Sequence, residues 1–446
     1  MTSSSPFGAG ARAAIAGAIA AVCVLGDVRP AAAQEAPERR PIRTLFGAPD
    51  PRGDGPGGIS VAGSLFGSYD DNLLLDSRGT GSRPPTVLPR AQLRGASTGY
   101  ESSMFLRLPS EQPSFRATVS SSGRYFPEFG EYVAGRQMAE ASSSVAAELG
   151  RRSSLQFTGS GRYSLNASPF ATAASLSASD IDLPDAADSV RLRSSNDLRG
   201  LVEFEHQWTP RKSWALLAGA HSAQIDGGPR HGIYDLGGRL GITLSQYSAF
   251  RASYTRQDIH RSPNAFVVHH LNIGGDYARP LSATRRTFIA FSAGSAAVES
   301  RDRLSLRAIG DADFWHEFKQ SWAWSLRYRR GVTFIDEVAD PLLSDGVSAE
   351  LSGLLSPRLD FTSSASFARG VVGLQRGNSY EMYGARSHLR YALSRMTALY
   401  AEYLLFHYDF ADSIPLASGL PSAFNRQAVR VGVMLRAQVV DLGRRQ

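Results

Sequence analysis

Oxygen-donor residues cluster directly after the first apolar stretch of the chain. Asp70, Asp71, Asn72 and Asp76 offer carboxylate and amide oxygens, the donors that Ca²⁺ prefers. The glycine and the ligand spacing of an EF-hand loop are missing. Short polar side chains in this order are also typical of a solvated turn with Asx hydrogen bonds. We therefore expect a turn, and we predict no metal site and no cofactor.

Two histidine motifs contain side chains that can bind metal ions. His269 and His270 are adjacent on a predicted strand, where neighbours point to opposite faces, so they are not expected to bind one metal ion. Trp315-His316-Glu317 lacks the second histidine of a zinc-protease helix. A Gly-x-Ser-x-Gly elbow and a Walker-type phosphate loop are also absent from the sequence.

Hydrolytic chemistry would need Asp, His and Ser side chains that converge at one place. Candidate groups occur on predicted strands at Asp235, His270, Asp276, Asp311 and Asp313, but their spacing does not indicate convergence. We predict no catalytic residues and a protein that is not an enzyme. An outer-membrane hydrolase with such a group at its outer rim is the alternative.

Arginine supplies almost all of the positive charge, since lysine occurs only at Lys212 and Lys319. The Lys/Arg runs that indicate nucleic-acid binding are absent, and we predict no nucleic-acid partner. Eleven arginines fall on the polar faces of predicted strands: Arg116, Arg124, Arg162, Arg199, Arg239, Arg327, Arg329, Arg386, Arg390, Arg430 and Arg436. Rings of arginine in a pore favour anions. The alternative left open is a neutral or plugged lumen, in which acidic residues pair with these arginines across strands: Glu203, Glu205, Asp235, Asp311, Asp313 and Glu350.

The elements that carry these residues are strands. Between Leu198 and Trp208, apolar and charged residues alternate, so a strand here has one apolar and one charged face. Thr209-Pro-Arg-Lys-Ser213 forms a turn, and a second strand follows from Trp214. The pattern recurs in eighteen segments: 59–69, 98–108, 114–125, 137–149, 154–165, 196–208, 213–224, 233–244, 248–260, 265–278, 286–298, 303–318, 321–335, 346–355, 358–370, 379–393, 396–410 and 425–440. In 396–410, Glu402 shares the parity of Tyr400 and Leu404, so we expect a bulge or a register error there.

Short and long connections alternate along the chain, which is typical of outer-membrane barrels. Short ones include 208–212, 245–248 and 356–358, and long ones include 70–97, 166–195 and 411–424. A closed barrel pairs every backbone group inside a bilayer. The sequence therefore predicts an all-β fold, an antiparallel up-and-down transmembrane barrel of about 16–18 strands. Aromatic girdle candidates are Trp208, Trp214, Trp322, Trp324 and Tyr328.

The N-terminal segment is typical of an export signal. Arg12 precedes the apolar stretch 13–25, and Ala31-Ala-Ala33 fits a cleavage site. We expect a signal peptide at 1–33, a flexible periplasmic arm at 34–58, the barrel at 59–440 and a tail at 441–446. Cleavage would remove Cys23, the only cysteine, and lower the formal net charge from +7 to +6 through loss of two arginines and one aspartate.

Three short motifs resemble the broad class of β-barrel porins of diderm bacteria, including barrels associated with polysaccharide export. They are Tyr69-Asp-Asp-Asn72 at the end of the first strand, the turns Thr209-Pro-Arg211 and Ser356-Pro-Arg358, and Arg426-Gln-Ala-Val-Arg-Val-Gly-Val433 in the last strand. The chain departs from many such barrels in that it does not end on an aromatic residue. The resemblance implies an outer-membrane location, with membrane lipid and the barrel-assembly machinery as partners.

Two functions other than catalysis fit this architecture. The leading hypothesis is a pore for small hydrophilic or anionic solutes, or an exit route for an anionic polysaccharide. The competing hypothesis is a closed structural barrel, filled by its own side chains and loops, that scaffolds an envelope assembly.

Overall fold

The computed structural model describes residues 57–71, 95–108, 114–125, 127, 136–165, 194–225, 230–261, 264–282, 285–300, 303–318, 321–333, 341–373, 378–411 and 422–441. The expected signal peptide, the arm up to residue 56 and the tail from residue 442 lie outside these residues.

Eighteen antiparallel strands make up the described fold. They are β1 (Gly58–Asp70), β2 (Gly95–Arg107), β3 (Ser114–Tyr125), β4 (Arg136–Gly150), β5 (Ser153–Leu165), β6 (Ser194–Thr209), β7 (Lys212–Ile225), β8 (Arg230–Ser245), β9 (Ser248–Arg261), β10 (Asn264–Ser282), β11 (Arg285–Ser300), β12 (Arg303–Phe318), β13 (Trp322–Thr333), β14 (Leu342–Ser356), β15 (Leu359–Val372), β16 (Ser379–Ala392), β17 (Thr397–Phe410) and β18 (Ala423–Asp441). Every predicted strand is confirmed, and each predicted end lies within four residues of the observed end.

The sheet closes on itself. Each strand pairs with the next one along the chain, and β18 pairs with β1 from Asp70↔Ala428 to Gly58↔Asp441. If the strand registers are followed once round the ring from a residue of β1, the path returns to β1 about 22 residues away from its starting point. This displacement is the shear of the barrel. A ring of this shear has strands tilted by about 40° and a backbone radius of about 18 Å.

Four short turns at one end of the barrel each contain the same type of hydrogen bond. The hydroxyls of Thr209, Ser245, Ser356 and Ser394 each accept a hydrogen bond from the backbone N–H two residues later, at 3.1–3.3 Å. Such side chains favour tight turns because they replace a backbone hydrogen bond locally. We call this end the short-turn end, and β1 begins there and β18 finishes there.

The opposite, long-connection end holds the longer connections, such as 71–94 and 166–193 between strands. The predicted sorting is not complete, because only residues 262–263 separate β9 from β10 and only 301–302 separate β11 from β12.

Side chains alternate between two faces of the wall. One face carries the exposed apolar residues, among them Leu65 at 69%, Leu236 at 65% and Leu306 at 64%, and it is the convex exterior. The residues between them form the inner face, and the register keeps the two faces consistent round all eighteen strands.

The bulge expected in β17 is wrong. Its register with β16 runs unbroken from Tyr380↔Phe410 to Ala392↔Ala398. Glu402 faces inward together with Tyr400 and Leu404. The expectation failed because it assumed that inward residues are polar, whereas the inner face of β17 is mostly apolar.

Candidate functional site: the inner wall

All eleven arginines predicted for the lumen lie on the inner face. Their positions follow from the register; for example, Arg124 lies opposite Gly99, and Arg329 lies opposite Asp311. The exterior positions next to them in sequence carry apolar or small side chains such as Tyr125 and Tyr328, with the exception of Arg330 beside Arg329.

Among the described residues, at least seven of the eleven arginines form ion pairs with inner-face carboxylates. Two pairs have short, well-directed contacts: Arg327 Nε lies 2.5 Å from Asp313 Oδ1, and Arg390 reaches Asp360 at 3.0 and 2.5 Å. The other pairs are Arg162–Glu140, Arg199–Asp197, Arg239–Glu203, Arg386–Glu402 and Arg430–Glu101. Asp197 also lies 2.8 Å from Nε2 of His221.

The predicted acidic partners were only partly correct. Glu203 and Asp313 hold arginines, whereas Asp311 accepts a hydrogen bond from Ser292. Glu205, Asp235 and Glu350 form no ion pair within the described part of the chain. Sequence reasoning missed six inner-face carboxylates that do form ion pairs: Asp70, Glu101, Glu140, Asp197, Asp360 and Glu402. Their position on the polar parity of predicted strands was the signal that could have identified most of them.

The charges of the described inner face nearly cancel. Fifteen arginines lie there: Arg107, Arg116, Arg124, Arg162, Arg199, Arg239, Arg251, Arg307, Arg327, Arg329, Arg386, Arg390, Arg426, Arg430 and Arg436. Fourteen carboxylates oppose them: Asp70, Glu101, Glu140, Glu148, Asp197, Glu203, Glu205, Asp235, Asp311, Asp313, Glu317, Glu350, Asp360 and Glu402. Many of these charges are close enough to a partner to neutralise each other locally.

One sector of the inner wall is aromatic and closed to solvent. On β17, every inward side chain from Ala398 to Phe410 is less than 9% exposed, including Tyr408 at 0%. Tyr380 stacks on Phe410 with ring centroids 5.5 Å apart, and Tyr408 meets both Phe406 and Phe410 edge-on. This sector has the packing of a protein core, so it differs from a hydrated pore lining.

The described metal and hydrolase candidates are held in separate contacts. Asp70 is ion-paired with Arg426, and Asp71 accepts a hydrogen bond from the N–H of Gln427 at 2.7 Å. Asn72, Asp76 and the side chain of Asp276 lie outside the described residues. His269 faces outward and bonds the Tyr254 hydroxyl, whereas His270 faces inward and contacts Gln257 at 3.1 Å. Within the described ranges, no three His, Cys, Asp or Glu side chains are grouped for a metal ion.

Many aromatic residues on the exterior lie near one of the two ends of the barrel. Trp208, Trp214, Trp322 and Trp324 all point outward close to the short turns, where Trp324 packs on Phe314 at 4.7 Å. Tyr328, the fifth girdle candidate, points outward nearer the other end, and its hydroxyl donates a hydrogen bond to Asp345. Sequence reasoning missed the matching exposed tyrosines near the long-connection end: Tyr69, Tyr125, Tyr163, Tyr234 and Tyr383.

Within the described residues, no helix has the length and apolar character needed to cross a bilayer.

Two aromatic levels flanking an exposed apolar band, on a closed ring of tilted antiparallel strands, are the features of a barrel that spans the outer membrane. The chain is an outer-membrane β-barrel. Its exterior therefore contacts membrane lipid, and its inner wall is the surface that any solute would meet.

Comparisons with known proteins agree with this architecture only distantly. No protein-family model matches the chain, and no curated protein is detectably similar to it. OpdQ of Pseudomonas aeruginosa shares 11% identity at a TM-score of 0.44, over 86% of this chain and 98% of that one. OccAB2 of Acinetobacter baumannii shares 9% identity at 0.43, over 85% and 98%. The FrpB iron transporter of Neisseria meningitidis shares 7% identity at 0.41, over 86% and 82%. The fold assignment therefore depends on the strand pairing of the chain itself.

Proposed function

We propose that this barrel is a passive pore for small hydrophilic solutes. The size of the ring carries the proposal, because a backbone radius of about 18 Å is more than wall side chains alone can fill. Barrels of 16–18 strands commonly leave an aqueous channel. Passage along a polar wall needs no covalent step, so we propose no enzymatic activity.

Charge pairing on the inner wall favours a weak ion preference. Isolated arginines would attract anions, but an arginine that lies within 3 Å of a carboxylate presents little net field to a passing ion. Arg162, Arg327 and Arg390 are neutralised in this way. This pattern supports uncharged or weakly charged solutes as the cargo. It gives less support to an anionic polysaccharide, which would need a continuous row of unpaired cations.

The buried sector of β17 favours a second candidate function, a closed scaffolding barrel. Its inner face is packed as tightly as a core, and a lumen filled in this way all round would pass nothing. The same wall could then serve as a rigid support for an envelope assembly. The two candidates differ in one measurable property, which is conductance.

Single-channel recording of the refolded full chain in a planar bilayer tests the proposal. We expect discrete conductance steps, with a reversal potential close to zero in a salt gradient. Membrane-inserted protein that stays silent would contradict the pore and support the scaffold. A strong anion preference would contradict the proposed charge balance while leaving the pore intact. Heat-modifiable migration on a gel is the control that the protein has folded and inserted.

A further inference from the structure

The contact between β1 and β18, which we call the seam, differs from the other strand pairs of the ring. All other neighbouring strands of the described barrel follow each other in sequence. Across the seam, Asp70 and Arg426 are 356 residues apart. Joining such distant segments has the largest loop-closure cost in the barrel, and no tight turn fixes the register.

The backbone of the seam contains one register shift and several glycines. The register shifts between Ile59 and Ser60 near the short-turn end. Glycines at Gly63 and Gly67 in β1 and at Gly432 in β18 reduce the side-chain packing available there.

The most deeply buried ion pair of the described chain crosses this seam. Arg426 Nε donates to Asp70 Oδ2 at 2.8 Å, and the two side chains are only 5% and 3% exposed. By comparison, Arg390 and Asp360 within the β15–β16 pair are 24% and 9% exposed. Water screens exposed ion pairs, so the seam pair is weakened less by solvent than the Arg390–Asp360 pair, and breaking it removes a charge partner from a buried group.

A second inner-face contact spans four strands around the seam. The guanidinium of Arg430, on β18, lies 5.3 Å from the ring centroid of Phe66 on β1, and Arg430 Nη1 lies 3.5 Å from Glu101 on β2. Arg124 on β3 approaches the same ring at 5.6 Å. Cations at these distances over an aromatic face are attracted by its quadrupole.

Two glycines make this arrangement possible. Gly99 and Gly432 lie directly opposite Phe66 on its two neighbouring strands. A Cβ at Gly99 would collide with the Phe66 ring, and one at Gly432 would lie 2.8 Å from Cε1 of Tyr400 and 2.9 Å from Cβ of Phe66.

We propose that Asp70, Arg426, Phe66 and Arg430 form a seam clasp, which holds the first and last strands together and keeps the barrel laterally closed. At its long-connection end, the clasp is extended by Asp71, whose N–H donates to the Gln427 carbonyl at 3.1 Å. The clasp forms only when β1 meets β18, so it stabilises the pairing that closes the barrel. This inference does not depend on whether the lumen conducts.

Matched arginine variants test the clasp. We expect Arg426→Met and Arg430→Met to lower the temperature at which the folded gel band is lost by about 5 °C or more, because the first removes the seam ion-pair partner of buried Asp70 and the second removes the buried cation over the Phe66 ring. Arg390→Met, which removes an arginine from a pair within sequential strands, is the control and should cause a smaller shift. Equal shifts in all three variants would overturn the proposal.

An engineered disulfide across the seam distinguishes a clasp from an ordinary stabilising contact. Leu65 and Val433 are directly opposite across the seam, and Ala218 and Leu236 are opposite within the β7–β8 pair. Cys23 is the only native cysteine, so Cys23→Ser gives a clean background. In Arg426→Met, oxidised Leu65→Cys/Val433→Cys should restore the lost stability or folding yield, and oxidised Ala218→Cys/Leu236→Cys should not. Equal rescue by the two disulfides would contradict the clasp.

Discussion

Arg327 Nε lies 2.5 Å from Asp313 Oδ1 across the β12–β13 hairpin, and Arg329, two residues further along the same face, lies opposite Asp311 without forming an ion pair among the described residues. Asp311 instead accepts a hydrogen bond from Ser292. Two arginines that look equivalent in the sequence therefore have different electrostatic surroundings. The charge of Arg327 is compensated by Asp313, whereas Arg329 presents its charge to the interior.

Neutralising these two arginines separately should give different results. Arg327→Gln leaves Asp313 half-buried without its partner, and we expect a loss of about 1 kcal/mol in unfolding free energy. Arg329→Gln should leave stability within about 0.5 kcal/mol of the parent, because it breaks no described pair. Urea unfolding of the barrel in detergent micelles measures both. A larger loss for Arg329→Gln would show that the pairing is not what stabilises this hairpin.

Removing carboxylates should convert the balanced lumen into an anion-preferring one. In Glu140→Gln/Glu203→Gln/Asp313→Asn, the partners Arg162, Arg239 and Arg327 lose their compensating charges. We expect the reversal potential in a tenfold salt gradient to move towards the anion limit, because unpaired arginines attract anions. The exterior variant Glu381→Gln is the control, since it removes a charge outside the lumen. An unchanged reversal potential in the triple variant would place these pairs away from the conduction path.

The strands were predictable from sequence because alternation is a local property. Leu198 to Trp208 displays its two faces without knowledge of any neighbour, and β3 and β12 were predicted to the residue. Ion-pair partners depend on register, which short turns fix and long connections do not. Arg327–Asp313 lies across a tight turn and was within reach of prediction. Arg390–Asp360 lies across the connection 373–378, so its register could not be read from the chain.

The aromatic inner sector was not predictable from the general pattern. The rule that inward residues are polar holds for a hydrated wall, and β3, with Ser120, Ser122 and Arg124 facing inward, follows it. On β17, Phe406, Tyr408 and Phe410 face inward. They are tolerated there because neighbouring side chains, such as Tyr380, bury them. Only the packing of adjacent strands reveals this exception.

The hydrogen bond from a backbone N–H to the Ser or Thr hydroxyl two residues earlier, found in the short turns, should contribute measurably to hairpin stability. In Ser356→Ala, the N–H of Arg358 loses the hydroxyl that it contacts at 3.3 Å. We expect a loss of about 0.5–1 kcal/mol, the usual net value of one such hydrogen bond. Ser356→Thr keeps the hydroxyl and should behave like the parent in urea unfolding. If Ser356→Thr and Ser356→Ala were equally destabilised, the hydroxyl would not be the cause.

If the exterior contacts lipid, arginine substitutions at two leucines on neighbouring strands should differ sharply in their cost to stability. Leu236 is 65% exposed and lies near the middle of β8 on the exterior, whereas Leu217, near the middle of β7, faces the inner wall opposite Glu203. An arginine at the bilayer midplane of a barrel costs about 2–4 kcal/mol. Leu236→Arg should lose that much in reversible unfolding from lipid vesicles. Leu217→Arg should lose less than about 1.5 kcal/mol, because its charge stays near Glu203 and away from hydrocarbon. Similar losses in the two variants would mean that the exposed band is not the surface in contact with the membrane.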